Sequence, residues 1–153
     1  MAYDGAVPTF VSAWKEHGLR TLAQTAAELV AATLPAPSKA SVITYIPPDD
    51  DRSIRRGHHP AEALARILAS RWQLPVQPLL MRSRHVERQR GLSRDERRRN
   101  VRGAFRSRGS VGGRIVLVDD VYTTGATVGA AATALRAAGA RRIEVVTFAR
   151  AVR

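Results

Sequence analysis

Apolar residues along this chain recur with two different periods, and the switches between them divide it into elements. Ile115-Val116-Leu117-Val118 is an unbroken apolar run, too short and too β-branched for a helix, and it predicts a central strand buried on both faces. The alanine-rich stretch from Val128 to Ala138 carries Val128, Ala131, Ala132, Leu135 and Ala138 at helical spacing. Gly139 then terminates the helix ahead of another apolar run, Arg142 to Phe148, which predicts a final strand. Upstream, Ser41 to Ile46 predicts a core strand and Gln77 to Met81 a short one. Between them, Pro60 to Trp72 places Ala61, Leu64, Ala65, Leu68 and Trp72 on one helical face. Two helices precede all of this. The first opens near the N-cap Asp4 and Pro8 and closes near Gly18; the second runs from about Leu19 to Leu34 and is stopped by Pro35-Ala36-Pro37. Strands alternating with helices imply an α/β domain with a mainly parallel central sheet flanked by helices.

Two segments have no apolar period. Pro47 to Pro60 is a loop of Pro, Asp, Arg and Gly between a strand and a helix, the form of an anion cradle. Residues 82–92 form a long loop, Ser93-Arg94-Asp95-Glu96 is a capping-box pattern that starts a short helix ending near Arg99, and Gly103 to Arg106 returns toward the sheet. Residues 82–108 hold eleven arginines against three acids, so this segment reads as a flexible, arginine-rich lid over a polyanion.

Composition narrows the class. A single domain spans residues 1–153, and 44% hydrophobic residues argue against wholesale disorder. A net charge of +12, almost all of its cations arginine, favours polyanionic partners: nucleic acid or a highly phosphorylated small molecule. The absence of cysteine excludes a disulfide framework and cysteine-ligated zinc. Without a leader-like N-terminus or a membrane-length apolar run, the expectation is a cytoplasmic protein with no membrane partner. Adjacent His58 and His59 make a poor chelate without a third ligand at sensible spacing, so they read as a solvated or phosphate-side pair.

The chemistry concentrates after the central strand. Asp119 and Asp120 stand at its carboxyl end, followed by Thr123-Thr124-Gly125-Ala126-Thr127 at the start of the alanine-rich helix. Gly125 allows a tight turn, and the loop's hydroxyls and N–H groups together with the helix N-terminus suit a phosphate. The carboxylates suit sugar hydroxyls, or a hard cation that shares the ligand.

Residues 115–127 resemble the phosphoribosyl-pyrophosphate signature of the type I phosphoribosyltransferases, an apolar strand, two acids and a Thr-Thr-Gly-x-Thr loop. Arg84, Gln89, Leu92, Arg97, Asn100, Val101, Gly103, Ala104 and Phe105, with Arg56-Gly57 and Asp119 to Thr127, further resemble the pattern of the ComF family of competence-associated phosphoribosyltransferase-like proteins. The resemblance covers about residues 42–150 well and 3–34 loosely. Relatives often carry a cysteine-rich zinc module, a threonine where Val86 stands, and Phe-Asn-Gln where His58-His59-Pro60 stands.

The resemblance implies a Rossmann-like type I phosphoribosyltransferase fold, with residues 1–40 as a helical hood segment and 82–108 as the lid. It implies binding of phosphoribosyl pyrophosphate with Mg²⁺ held chiefly by the ligand's own oxygens, and transfer to a nucleobase or related acceptor with release of pyrophosphate. Thr123, Thr124, Gly125, Ala126 and Thr127 would hold the 5′-phosphate; Pro47, Pro48, Arg56 and Gly57 would form the pyrophosphate loop. Asp119, Asp120 and Arg84 would be the catalytic groups, and Arg82, Arg84, Gln89, Arg97 and Asn100 the lid's working residues. The alternative is a non-catalytic binding or DNA-uptake accessory protein acting through its basic surface, with nucleic acid or the competence machinery as partner. A homodimer is compatible with either.

Overall fold

The computed structural model describes residues 1–2, 4–16, 21–48, 58–83 and 103–151. Helices α1 (Val7–Glu16) and α2 (Thr21–Thr33) lead to strand β1 (Val42–Tyr45), then helix α3 (Pro60–Trp72) and the short strands β2 (Leu80–Arg82) and β3 (Phe105–Ser107). Strand β4 (Arg114–Tyr122), helix α4 (Ala126–Ala137) and strand β5 (Arg142–Arg150) complete the order. The apolar runs thus become strands and the 3.6-period stretches helices, with the Pro60–Trp72 boundaries as the sequence implies.

The central sheet has the order β1-β4-β5, all parallel. Its middle strand is β4, and Ile115, Val116, Leu117 and Val118 have no exposed surface. Side chains alternate across a strand, so this run feeds two separate cores. On one face Val116 and Val118 join Ile43, Tyr45, Val146 and Phe148 under α1, α2 and α3. On the other, Ile115 and Leu117 pack with Leu80, Phe105 and the Val128, Ala131 and Leu135 face of α4. The helices of the 1–40 segment therefore cover the sheet, with Trp14 fully buried edge-on to Phe148 at 6.0 Å between ring centroids.

Two elements differ from the sequence expectation. Strand β4 runs four residues past its apolar run, to Tyr122, so Asp119 and Asp120 lie within it rather than after it. The reason is lateral pairing: Asp119 stands opposite Thr147 and Tyr122 opposite Arg150 on β5, and ladder hydrogen bonds extend the strand where apolar content stops. Second, the Gln77–Met81 segment does not add a regular strand to the central sheet. Only Val76 bridges β1, opposite Ile43, and the chain then turns away so that β2 pairs with β3 as an antiparallel ribbon.

Thr44 joins sheet and ribbon. It is the buried polar residue of the described core, and its Oγ1 accepts the Leu79 N–H at 3.2 Å. Thr44→Val replaces that acceptor with a methyl group and leaves the amide unsatisfied, at an expected cost of about 1–3 kcal/mol. Urea unfolding should show a lower midpoint with an unchanged slope, and Thr44→Ser should recover part of the loss; a neutral Thr44→Val would show that the bond contributes nothing.

Candidate ligand site at the carboxyl ends of the strands

Three segments singled out in the sequence meet at one end of the sheet. Strand β1 runs alongside β4 in register Tyr45 to Val118, and the Ile46 N–H donates to the Val118 carbonyl at 3.0 Å. Pro47 and Pro48 therefore begin beside the position where β4 reaches Asp119 and Asp120. Three residues beyond Tyr122 the chain enters α4. The carboxyl ends of parallel strands are where open α/β sheets leave a crevice for ligands.

Strand alternation parts the two carboxylates. Asp120 falls on the face of Val116 and Val118, toward α3; Asp119 falls on the opposite face. Asp119 Oδ1 accepts the Asp120 N–H at 2.9 Å and Asp120 Oδ1 accepts the Val121 N–H at 2.7 Å, so both side chains are oriented locally by the backbone. Both are partly exposed.

Gly125 is the N-cap of α4 with φ 73°, a left-handed conformation, and as a glycine it supplies no side-chain cap of its own. Its first turn contains no acid, and the first N–H groups of a helix have no intrahelical partner, so this end presents positive potential. Thr123 and Thr124 are exposed and Gly125, Ala126 and Thr127 half-buried; Thr124 Oγ1 lies 3.4 Å from the Ala126 N–H. A Cβ on Gly125 would run into the Tyr122 hydroxyl and ring. The Arg150 guanidinium lies over that ring, 5.4 Å from its centroid, so Tyr122 fixes how closely the loop approaches the sheet.

Arg82 turns out to be anchored. It ends β2, its guanidinium lies 5.0 Å from the Phe105 ring centroid, and its Nε is 3.2 and 2.9 Å from the Pro47 and Pro48 carbonyls. One arginine thereby ties the ribbon to the loop that follows β1. Arg56 and Gly57 of that loop, and Arg84, Gln89, Arg97 and Asn100 of the lid, lie outside the described residues.

The histidine pair is packed rather than solvated. His58 Nε2 meets the Trp14 carbonyl at 2.6 Å. His59 is the N-cap of α3, with its side chain 17% exposed, its ring edge-on to Tyr45 at 5.6 Å and Nδ1 3.7 Å from Glu62 Oε2. Glu62 also accepts from Arg66 at 2.7 Å. Burial pushes the His59 imidazole below its ordinary value, Glu62 and Asp120 pull it up, and Arg82 opposes them. Burial raises Tyr45, and the Glu62 charge adds to that. For Glu62 itself burial acts upward, but the Arg66 hydrogen bond and charge prevail and hold the carboxyl low. Glu62 three residues after an N-cap was the visible signal that this turn is organised.

A profile of the phosphoribosyl transferase domain family matches residues 54–152. The chain belongs to the phosphoribosyl transferase domain family, as a ComF-family member. It is 40% identical over 106 residues to "Competence protein F" of Haemophilus influenzae, covering 65% of this chain and 46% of that protein. The "DNA utilization protein YhgH" of Escherichia coli O157:H7 is 40% identical over 107 residues, 67% of this chain and 46% of the relative. The chain thus spans about half the length of the curated relatives it matches. Among solved structures, the glutamine phosphoribosylpyrophosphate amidotransferase from B. subtilis complexed with ADP and GMP superposes with TM-score 0.57 at 26% identity, over 84% of this chain and 26% of the other.

Gly125→Ala should cost more than the ~1–2 kcal/mol of a left-handed alanine, because the Tyr122 ring also obstructs the methyl group. In a Tyr122→Leu background the same change should cost measurably less by urea unfolding; equal costs would mean that the ring does not constrain the loop. A neutral, buried His59 favours folding fully above its ordinary value of 6.5, and that contribution is lost as pH falls because the unfolded chain protonates first. Between about pH 7.5 and about pH 5.5 the wild type should therefore lose more stability than His59→Asn. Glu62 acts in a separate window, its contribution present above its ordinary 4.5 and lost below it. Parallel thermal melts of the two proteins would check this, and identical pH profiles would contradict it.

Proposed function

We propose that this chain binds phosphoribosyl pyrophosphate with Mg²⁺ at the carboxyl ends of β1 and β4 and transfers the phosphoribosyl group to a nucleobase or related acceptor. The observation that carries this reading is the meeting of three segments, Pro47-Pro48, Asp119-Asp120 and the glycine-capped start of α4, at one end of the sheet. In this reading Thr123, Thr124, Gly125, Ala126 and Thr127 receive the 5′-phosphate through N–H groups and hydroxyls. Asp119 and Asp120 accept the ribose hydroxyls from either face of β4 and offset positive charge that develops on the sugar. The bond from the anomeric carbon to pyrophosphate breaks as the acceptor's bond to that carbon forms. Pro47, Pro48, Arg56 and Gly57 cradle the leaving pyrophosphate. Arg84 with Gln89, Arg97 and Asn100 closes over it and excludes water.

No group of three or more potential metal-ligating side chains occurs among the described residues. In this reading Mg²⁺ is held by the ligand's oxygens and water. Mg²⁺ there would neutralise part of the pyrophosphate charge. No helix among the described residues is long and apolar enough to cross a membrane.

A second reading, a competence accessory protein that contacts DNA, is favoured by one feature. At the opposite end of the sheet from the ligand site, Arg114 pairs in register with Arg142, the Arg141 N–H donates to Gly113, and Ser41, two residues after exposed Lys39, donates to Arg114. Arg136 adds a further exposed cation at the end of α4, and Glu144, bonded to Arg142 at 3.1 Å, is the acid beside them. Such a pole suits a phosphate backbone.

Asp120→Asn should leave the fold intact and weaken phosphoribosyl pyrophosphate binding at least tenfold, about 1.4 kcal/mol, by titration calorimetry. Unchanged affinity would remove Asp120 from the site. For the second reading, Arg141→Ala/Arg142→Ala should lower the log–log salt slope for a labelled single-stranded oligonucleotide by about 1.4. Fluorescence anisotropy across a salt series measures it, and an unaltered slope would exclude this pole as the contact.

A further inference from the structure

His59 stands where the chain departs from the pattern of its family, and its surroundings connect it to the ligand site. Two elements pack against its ring and the charges of two more act on it. Strand β1 supplies Tyr45, edge-on at 5.6 Å. Helix α3 supplies Glu62, 3.7 Å from Nδ1, with Arg66 behind it. The charges of Asp120 on β4 and Arg82 on β2 also reach the ring. Asp120 and Arg82 are residues of the crevice itself; Arg82 is bonded to the Pro47 and Pro48 carbonyls that open its anion loop. His59 therefore lies between the crevice and the acidic first turn of α3.

A purely packing role would need only a flat ring. Instead Nδ1 is a buried polar atom with no hydrogen-bond partner among the described residues, 3.7 Å from a carboxylate and just beyond hydrogen-bond reach. Leaving such an atom unpaired is costly, and protonating it would give Glu62 a cationic donor to close upon. Burial and Arg82 oppose that protonation, while Glu62 and Asp120 favour it. Further negative charge arriving in the crevice shifts this balance toward the cation.

We propose that His59 is a ligand-side residue of this site, which takes up a proton as a pyrophosphate-bearing anion binds, so that anion and proton bind together. The inference rests on the crevice being the anion site described above. An asparagine at this position would hydrogen-bond but not titrate near neutrality, so the coupling depends on the imidazole.

The test is calorimetry of the full chain at about pH 7 with Mg²⁺ and either phosphoribosyl pyrophosphate or inorganic pyrophosphate, in buffers of different ionisation enthalpy. The wild type should take up about half a proton or more per ligand, whereas His59→Asn should take up about a tenth of a proton or less per ligand bound. His59→Gln serves as the second non-titrating variant if the first folds poorly. Wild-type binding without proton uptake, or uptake that persists in both variants, overturns the inference and leaves the binding site standing. Failure of the wild type to bind either probe overturns the site and this inference together.

Discussion

Everything in this molecule is hung on β4. Ile115 to Val118 have no exposed surface because each side chain is claimed by one of two cores, three helices on one face and a helix with a ribbon on the other. A strand buried on both faces resists slipping, since a one-residue shift would exchange its two sets of side chains between differently shaped cores. That rigidity extends to the residues just beyond the apolar run. Asp119, Asp120 and the turn at Gly125 are held by the ladder to β5, by their own side-chain-to-backbone bonds and by the Tyr122 ring. The most polar segment of the sheet is thereby fixed by its most apolar one.

Much of this was legible in the sequence because the signals were strong and local. A β-branched run, helical spacing from Val128 and an intervening threonine-glycine loop leave little choice of local structure, and the alternation of strands with helices gave the sheet direction. What the sequence did not show depended on partners remote along the chain. The length of β4 beyond Val118 is set by β5, not by hydrophobicity. Arg82 read as one more lid arginine, yet its role comes from Phe105 and two proline carbonyls more than twenty residues away. His59 read as half of a solvated or phosphate-side pair, and its packing against Tyr45 at the end of β1 was not visible.

The charge of the chain is distributed with some order. At the carboxyl pole, cations and acids are interleaved: the charges of Arg82 and Asp120 both act on His59, Glu62 lies against His59 and Arg66, and Arg150 lies over Tyr122. That is a field of alternating sign, with no single charge dominating it. At the amino pole Lys39, Arg114, Arg136, Arg141 and Arg142 face one acid, Glu144, a field suited to a repeating anion with no fixed register. The two poles lie at opposite ends of the same three strands, so one domain can present both kinds of surface without either obstructing the other.

The β2–β3 ribbon determines how the arginine-rich segment is attached. Arg82 pairs directly with Phe105, and Ser83 donates to the Ala104 carbonyl at 2.9 Å, so the chain leaves the ribbon and returns to it at almost the same point. The entropy of closing a loop whose ends are already clamped grows only with the logarithm of its length, about 0.6 kcal/mol per doubling. Evolution can therefore lengthen, shorten or rewrite residues 84–102 at little cost to the fold. The segment between Ser83 and Gly103 can thus diverge in length and sequence while β4 and its two cores stay untouched.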